Sequence, residues 1–127
     1  MSKALKSAGL RPDDISYINT HGTGTPNNDD SELAAIKRIW PDKVPYYSST
    51  KGFTAHTTSA SGAIEAVISI LALRHSFVPA SLRCVNPTDP DHAPVSATMF
   101  DTKLTHVMNN SFGFGGNDSA LIISKAE

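Results

Sequence analysis

The spacing of apolar and polar positions along this chain changes repeatedly, and each change marks an element. Ser2 to Ala8 reads as a short helix closed by Gly9, a residue free to adopt the left-handed conformation that ends helices. Pro12-Asp13-Asp14 follows as a polar turn. Ile15 to Thr20 is rich in β-forming residues and predicts a strand. That strand is ended by the small-residue segment His21-Gly22-Thr23-Gly24-Thr25-Pro26. Asn28 or Asp29 is placed to cap a helix whose apolar stripe is Leu33, Ile36, Ile39 and Trp40, and Pro41 stands where it must stop. Val44 to Thr50 predicts a second strand, with Lys51 to His56 as the loop at its end.

From Ser59 or Ser61 to His75 the pattern predicts a second long helix, apolar nearly all round: Ala63, Ile64, Ala66, Val67, Ile68, Ile70, Leu71, Ala72 and Leu73. Such a helix has to be covered on every side. One small sheet cannot do that, so the pattern implies a buried central helix whose second layer comes from another half-molecule. Asn86 to Pro94 is a Pro/Asp-rich loop, and Val95 to Leu104 carries no clear period. Thr105 to Ser111 and Ser119 to Ser124 read as two strands. They are joined by Phe112-Gly113-Phe114-Gly115-Gly116-Asn117-Asp118, whose glycines suit a hairpin or bulged loop with positive φ.

Composition narrows the partners. The chain has 127 residues, enough for one domain, and with 39% hydrophobic and 18% charged residues it can bury an ordinary core. Eleven Lys+Arg against twelve Asp+Glu give a net charge of -1, with no basic field to gather nucleic acid or anionic lipid. The single cysteine cannot form an internal disulfide, and the first residues lack an apolar signal core. The longest apolar run, Ala66 to Leu73, is interrupted by Ser69 and falls far short of the roughly 20 residues that span a bilayer. A cytoplasmic chain without nucleic-acid or membrane partners is the expectation.

The candidate chemistry sits after strands: His21 beyond the first, Lys51 and His56 beyond the second. In open α/β sheets functional groups gather beyond the carboxyl ends of strands, and the surrounding Gly/Thr loops allow close backbone approach. Gly22-Thr23-Gly24-Thr25 lacks the Gly-Lys-Ser/Thr ending of a phosphate-cradling loop, and Gly113-Phe114-Gly115-Gly116 does not open a helix. Nucleotide binding is therefore disfavoured. The five histidines show no short ligand spacing, so no metal site is expected. Cys84, between Arg83 and Val85 with no local base, reads as a plain thiol, buried or half-exposed.

Taken together, four segments resemble the β-ketoacyl carrier-protein synthases, the condensing enzymes of fatty-acid and polyketide synthesis. They are Ile18 to Asp29 with Glu32, Ser49-Thr50-Lys51-Gly52 through His56, Gly62 to Ala66, and Asn110-Ser111-Phe112-Gly113-Phe114-Gly115-Gly116-Asn117. The resemblance covers almost the whole chain. It implies an α/β, thiolase-like fold in which two similar halves pack into layers around two buried central helices. Residues 1–127 would be the C-terminal half, a mixed β-sheet with one central helix, and the cysteine-bearing N-terminal half is absent.

By that resemblance, a cysteine of the N-terminal half takes the acyl group as a thioester. His21 and His56 then assist decarboxylation of malonyl-carrier protein and stabilise the enolate that attacks it. A neutral imidazole can donate a ring N–H to a thioester oxygen that gains negative charge. Lys51 would keep positive charge beside the site, and Glu65, on an otherwise apolar helix, would be its partner. Thr23 and Thr25 would hydrogen-bond the pantetheine arm, with Asp29 and Glu32 as supports behind the site. In the loop Gly113-Phe114-Gly115, Phe114 would supply a backbone N–H to the oxyanion hole and a side chain that gates the acyl pocket. No cofactor is bound in the family, the substrate riding on the phosphopantetheine of acyl carrier protein. The partners implied are that carrier protein and the complementary half, with self-association through an exposed apolar face.

Two departures from the family pattern stand out. Ala55 replaces the usual glycine before His56, and Thr57-Thr58-Ser59-Ala60-Ser61 is more polar than the residues usual there. Cys84 does not match the family's cysteine, so the chain alone should not form an acyl-enzyme. Two other readings compete: a non-catalytic partner like the chain-length-factor subunits of some polyketide systems, and a stand-alone small-molecule binding module. Retention of His21, Lys51 and His56 weighs against the first, and no motif speaks for the second.

Overall fold

Gly9 takes φ 67°, and its N–H returns to the carbonyl of Lys6 to end helix α1 (Ser2–Ala8) where the sequence places the stop. A computed structural model describes residues 1–126 of the chain. Pro12–Asp14 is a turn of 3-10 helix held by Asp14, whose carboxylate accepts the Arg11 backbone N–H at 2.8 Å. Strand β1 (Tyr17–Asn19) leads into the Gly/Thr loop, and helix α2 (Pro26–Ile39) leaves it. That helix starts earlier than expected. Thr25, at φ -106° and ψ 137°, is its N-cap in place of Asn28 or Asp29, because Pro26 is pre-set for the first helical position. Asp29 lies in the first turn, where its charge opposes the positive end of the helix dipole.

Strand β2 (Tyr46–Ser48) is followed not by a loop but by a one-turn helix, α3 (Lys51–Thr54), and then by the long helix α4 (Ser61–His75). Two long strands close the chain, β3 (His106–Gly113) and β4 (Asn117–Ser124). They run further than the sequence pattern suggests, since Phe112 and Gly113 pair with Asp118 and Asn117. Only Phe114-Gly115-Gly116 is left for the turn, with both glycines at φ 80°.

The sheet order is β2-β1-β3-β4, with β1 parallel to β2 and β3, and β4 antiparallel to β3. Parallel register puts Asn19, Ser48 and Asn109 side by side at the carboxyl ends of three strands. Everything that follows those residues in sequence emerges at one rim. Strand alternation divides the core in two. Ile18 and Met108 face α1 and α2, packing with Leu5, Ile15, Ile36 and Trp40, whereas Tyr17 and Val107 face α4, packing with Ala72, Leu73, Val78 and Leu104.

Helix α4 corrects a second expectation. Ser61, Glu65 and Ser69, spaced four apart, form one buried stripe against the sheet, while Val67, Ile70 and Leu71 face outward at 55%, 49% and 41% exposure. The polar stripe is satisfied from below: Asn19 Nδ2 donates to the Glu65 carbonyl at 3.2 Å and to Ser69 Oγ at 3.3 Å. The helix is therefore covered on one side, and its apolar side is the uncovered one. Among the described residues no helix is long and apolar enough to cross a membrane.

Candidate active site

Three backbone turns at the sheet rim deliver the charged groups. Beyond β1 the chain places buried His21, whose N–H and that of Gly22 donate to the two oxygens of Glu32 at 3.0 and 2.9 Å. Asn110, on β3, donates to the same carboxylate at 3.0 Å. Glu32 thus ties the loop, α2 and β3 together. Burial raises its pKa, and these three donors oppose that rise. Asp29 accepts from Gly24 N–H at 3.3 Å and from Asn28 Nδ2 at 2.9 Å, so it shapes the same loop.

Beyond β2, α3 opens on Lys51, which is buried and ion-paired with Glu65 Oε1 of α4. Lys51 Nζ also donates to the His21 carbonyl at 2.5 Å and lies 3.4 Å from His21 Nδ1. A lysine ammonium has three N–H groups and nothing to accept with, so His21 Nδ1 must be the acceptor and Nε2 carries the ring proton. Burial above all, then the positive charge of Lys51 and the neighbouring His56, pushes the His21 pKa down to about 4. At neutral pH this ring is uncharged. Burial also raises the pKa of Glu65, against the pull of Lys51, and its second oxygen is buried without a partner.

Helix α3 ends on Ala55 at φ 60° and ψ 177°, and the next residue is His56. Its ring stands edge-on to His21, with centroids 5.3 Å apart and planes at 87°. The Thr58 backbone N–H donates to His56 Nδ1 at 3.2 Å. A backbone N–H only donates, so this nitrogen too is an acceptor and the proton sits on Nε2. Two neutral imidazoles, each with an Nε2–H to give, lie side by side. That is the donor set for an oxygen on which negative charge develops.

A groove of about 640 Å³ runs along this rim, lined by Thr23, Gly24, Lys51, His56, Arg83 and Cys84 among others. Thr25 lies outside that lining but holds Thr23, hydroxyl to hydroxyl, at 2.8 Å. Cys84 is exposed rather than buried. Among the described residues no group of three or more His, Cys, Asp or Glu side chains is placed to hold a metal.

The structure does not bring Gly113-Phe114-Gly115 to the groove. Phe114 stands at the tip of the β3–β4 hairpin, fully exposed. The aromatic ring beside the histidines is Phe112, centroid 5.6 Å from that of His21 and tilted by 54°. Both Phe112 and Asn110 escape a reading by motif. The signal for them was the period of two along β3, which sets Met108, Asn110 and Phe112 on one face.

Residues 1–85 match the family described as beta-ketoacyl synthase, C-terminal domain, and the chain belongs to the β-ketoacyl synthase family. It is 42% identical over 130 residues to 3-oxoacyl-[acyl-carrier-protein] synthase 2 of Coxiella burnetii, an alignment covering 98% of this chain and 31% of that relative. The chain therefore spans about a third of the length of such a curated relative. The ishigamide ketosynthase/chain length factor structure superposes with a TM-score of 0.90 at 33% identity, over 99% of this chain and 32% of that one. A ketosynthase solved with its type II polyketide acyl-carrier protein and bound to the hexaketide superposes at 0.88 with 27% identity, over 98% and 31%. The sheet and helices described above are those of the thiolase-like ketosynthase fold.

Proposed function

We propose that residues 1–127 are the C-terminal half of a decarboxylating condensing enzyme, working against a complementary N-terminal half that carries the nucleophilic cysteine. The observation that carries this reading is the paired tautomer: both His21 Nδ1 and His56 Nδ1 accept, leaving two neutral Nε2–H donors at the rim of one groove. A malonyl thioester held there loses its carboxylate as carbon dioxide. The electrons of the broken C–C bond move into the α-carbon and the thioester oxygen, and the imidazole N–H groups stabilise the resulting enolate. The enolate carbon then attacks the acyl thioester on the partner's cysteine, and the thiolate leaves as the new C–C bond forms.

Neutral histidines suit this chemistry, because an N–H donor in a dry site stabilises charge without having to lose a proton. Lys51 keeps His21 neutral and oriented, and Glu65 keeps Lys51 in place. The carrier-protein arm would enter along the groove past Thr23, which Thr25 holds in place. Substrate delivery by an acyl carrier protein follows from the relatives, one of which was solved with such a protein. The Gly113-Phe114-Gly115 tip would reach its gating and oxyanion role against the complementary half, toward which an exposed hairpin is free to lean.

The test is carbon dioxide release from malonyl-carrier protein by this chain mixed with an acylated, cysteine-bearing N-terminal half. His21→Ala and His56→Ala should each lower release by about 10²–10³-fold, as removal of one oxyanion donor does. The chain without its partner should give no condensation product. Absence of release from a folded complex would move the non-catalytic, chain-length-factor-like reading to the front.

A further inference from the structure

Two donors reach the same lone pair on His56. Besides the Thr58 backbone N–H at 3.2 Å, Ser61 Oγ lies 3.0 Å from Nδ1. Since the backbone group fixes Nδ1 as an acceptor, the Ser61 hydroxyl must point its hydrogen at the ring. Thr57 Oγ1 stands 3.3 Å behind Ser61 Oγ and can donate to it in turn. The three residues form a short chain of hydroxyls ending on the imidazole. Ser61 is buried at 4% exposure and sits on the first turn of α4, whereas His56 is exposed and follows the strained Ala55 joint. The rigid element thereby holds the mobile ring.

The backbone donor alone is a weak clamp. Thr58 is itself at φ 50°, uncommon for a β-branched residue, and its bond to Nδ1 is the longer of the two. Ser61, by contrast, is anchored by a helix whose next turns are pinned to the sheet through Glu65 and Ser69. Gly62, beside it, packs so closely on Ser111 that a Cβ there would meet Ser111 Oγ at 3.1 Å. The start of α4 therefore has little freedom, and its hydroxyl has one direction to point.

Resting on the condensing reading above, we infer that Ser61, backed by Thr57, is a positioning residue that fixes the ring plane of His56 and keeps its proton on Nε2. Ser61→Ala removes the anchored donor and leaves the ring to the Thr58 N–H. Ser61→Thr keeps a hydroxyl at the same place on α4.

The experiment reads the ring directly. Nitrogen-15 NMR of the intact chain labelled at histidine should show an acceptor-type Nδ1 and a protonated Nε2 at His56. In Ser61→Ala the two shifts should move toward each other as the second tautomer becomes populated, and Ser61→Thr should restore them. In the reconstituted release assay Ser61→Ala should lower kcat about fivefold to tenfold with KM for malonyl-carrier protein unchanged, the size expected when one orienting hydrogen bond is lost. Ser61→Thr should recover most of that rate, and circular dichroism of both variants should match the parent. Unaltered His56 shifts in a folded Ser61→Ala variant overturn the positioning role. No release from the unsubstituted complex overturns the condensing reading instead, and the NMR result stands apart from it.

Discussion

Ala55 is where the chain spends conformational energy on aiming a side chain. Its φ of 60° with ψ of 177° lies in a region that is essentially glycine's, and holding a residue with a Cβ there costs about 1–3 kcal/mol. The strain sits between α3, fixed by buried Lys51, and His56, so it falls on the joint that turns one histidine toward the other. Ala55→Gly should therefore raise stability by about 1 kcal/mol, the strain relieved less the entropy that glycine adds to the unfolded chain. Urea unfolding would show this as a higher midpoint with an unchanged slope. A midpoint equal to or below the parent's would mean that the Cβ is accommodated without strain. Nothing in the residue type announces this feature. The sequence marks Ala55 as a departure from the family's glycine, and only the backbone angles say that glycine's conformation is retained.

At the scale of elements, α4 is the instructive case. Read by period, Ser61, Glu65 and Ser69 are interruptions in an apolar helix, and the surrounding residues say only that the helix is covered. The fold makes those interruptions the inner stripe, because Glu65 must meet Lys51 and Asn19 must find acceptors at the strand end. Strand order and the rim of loops were legible, since β1 and β2 each end in a small-residue segment carrying an ionisable group. The helical turn at Lys51 and the nearness of Phe112 rather than Phe114 to His21 were not, because both depend on how β3 registers against β1. The Lys51–Glu65 pair gives a test at this scale. Glu65→Leu leaves a buried ammonium without its counter-charge and should destabilise the chain by about 3–5 kcal/mol. Pairing it with Lys51→Met removes both charges and should recover most of that loss, though with His21 no longer held. A double variant as unstable as Glu65→Leu alone would show that shape, not charge, is what the pair supplies.

The molecule as a whole carries a face that its own chain leaves open. Val67, Ile70 and Leu71 stand about half-exposed along the outer side of α4, on a helix whose inner side already holds the sheet. A contiguous apolar stripe of that kind marks an interaction surface, and apolar area removed from water contributes roughly 25 cal/mol per Å². The chain covers 31% of the length of its Coxiella burnetii relative, so a complementary half is the occupant that the condensing reading assigns to this face. When that half is missing, a second copy of the chain is the nearest apolar surface of matching kind. The isolated chain should therefore self-associate at micromolar concentration, and addition of the complementary half should replace the self-complex with a one-to-one pair. Ile70→Glu puts a charge in the middle of the stripe, where burying it without a partner is strongly unfavourable, and should abolish both associations while leaving the sheet-side core intact. Light scattering with sedimentation velocity distinguishes the outcomes. A clean monomer of the parent chain at those concentrations would show that the outer face of α4 tolerates water, and its role as the seam between two halves would then have to be given up.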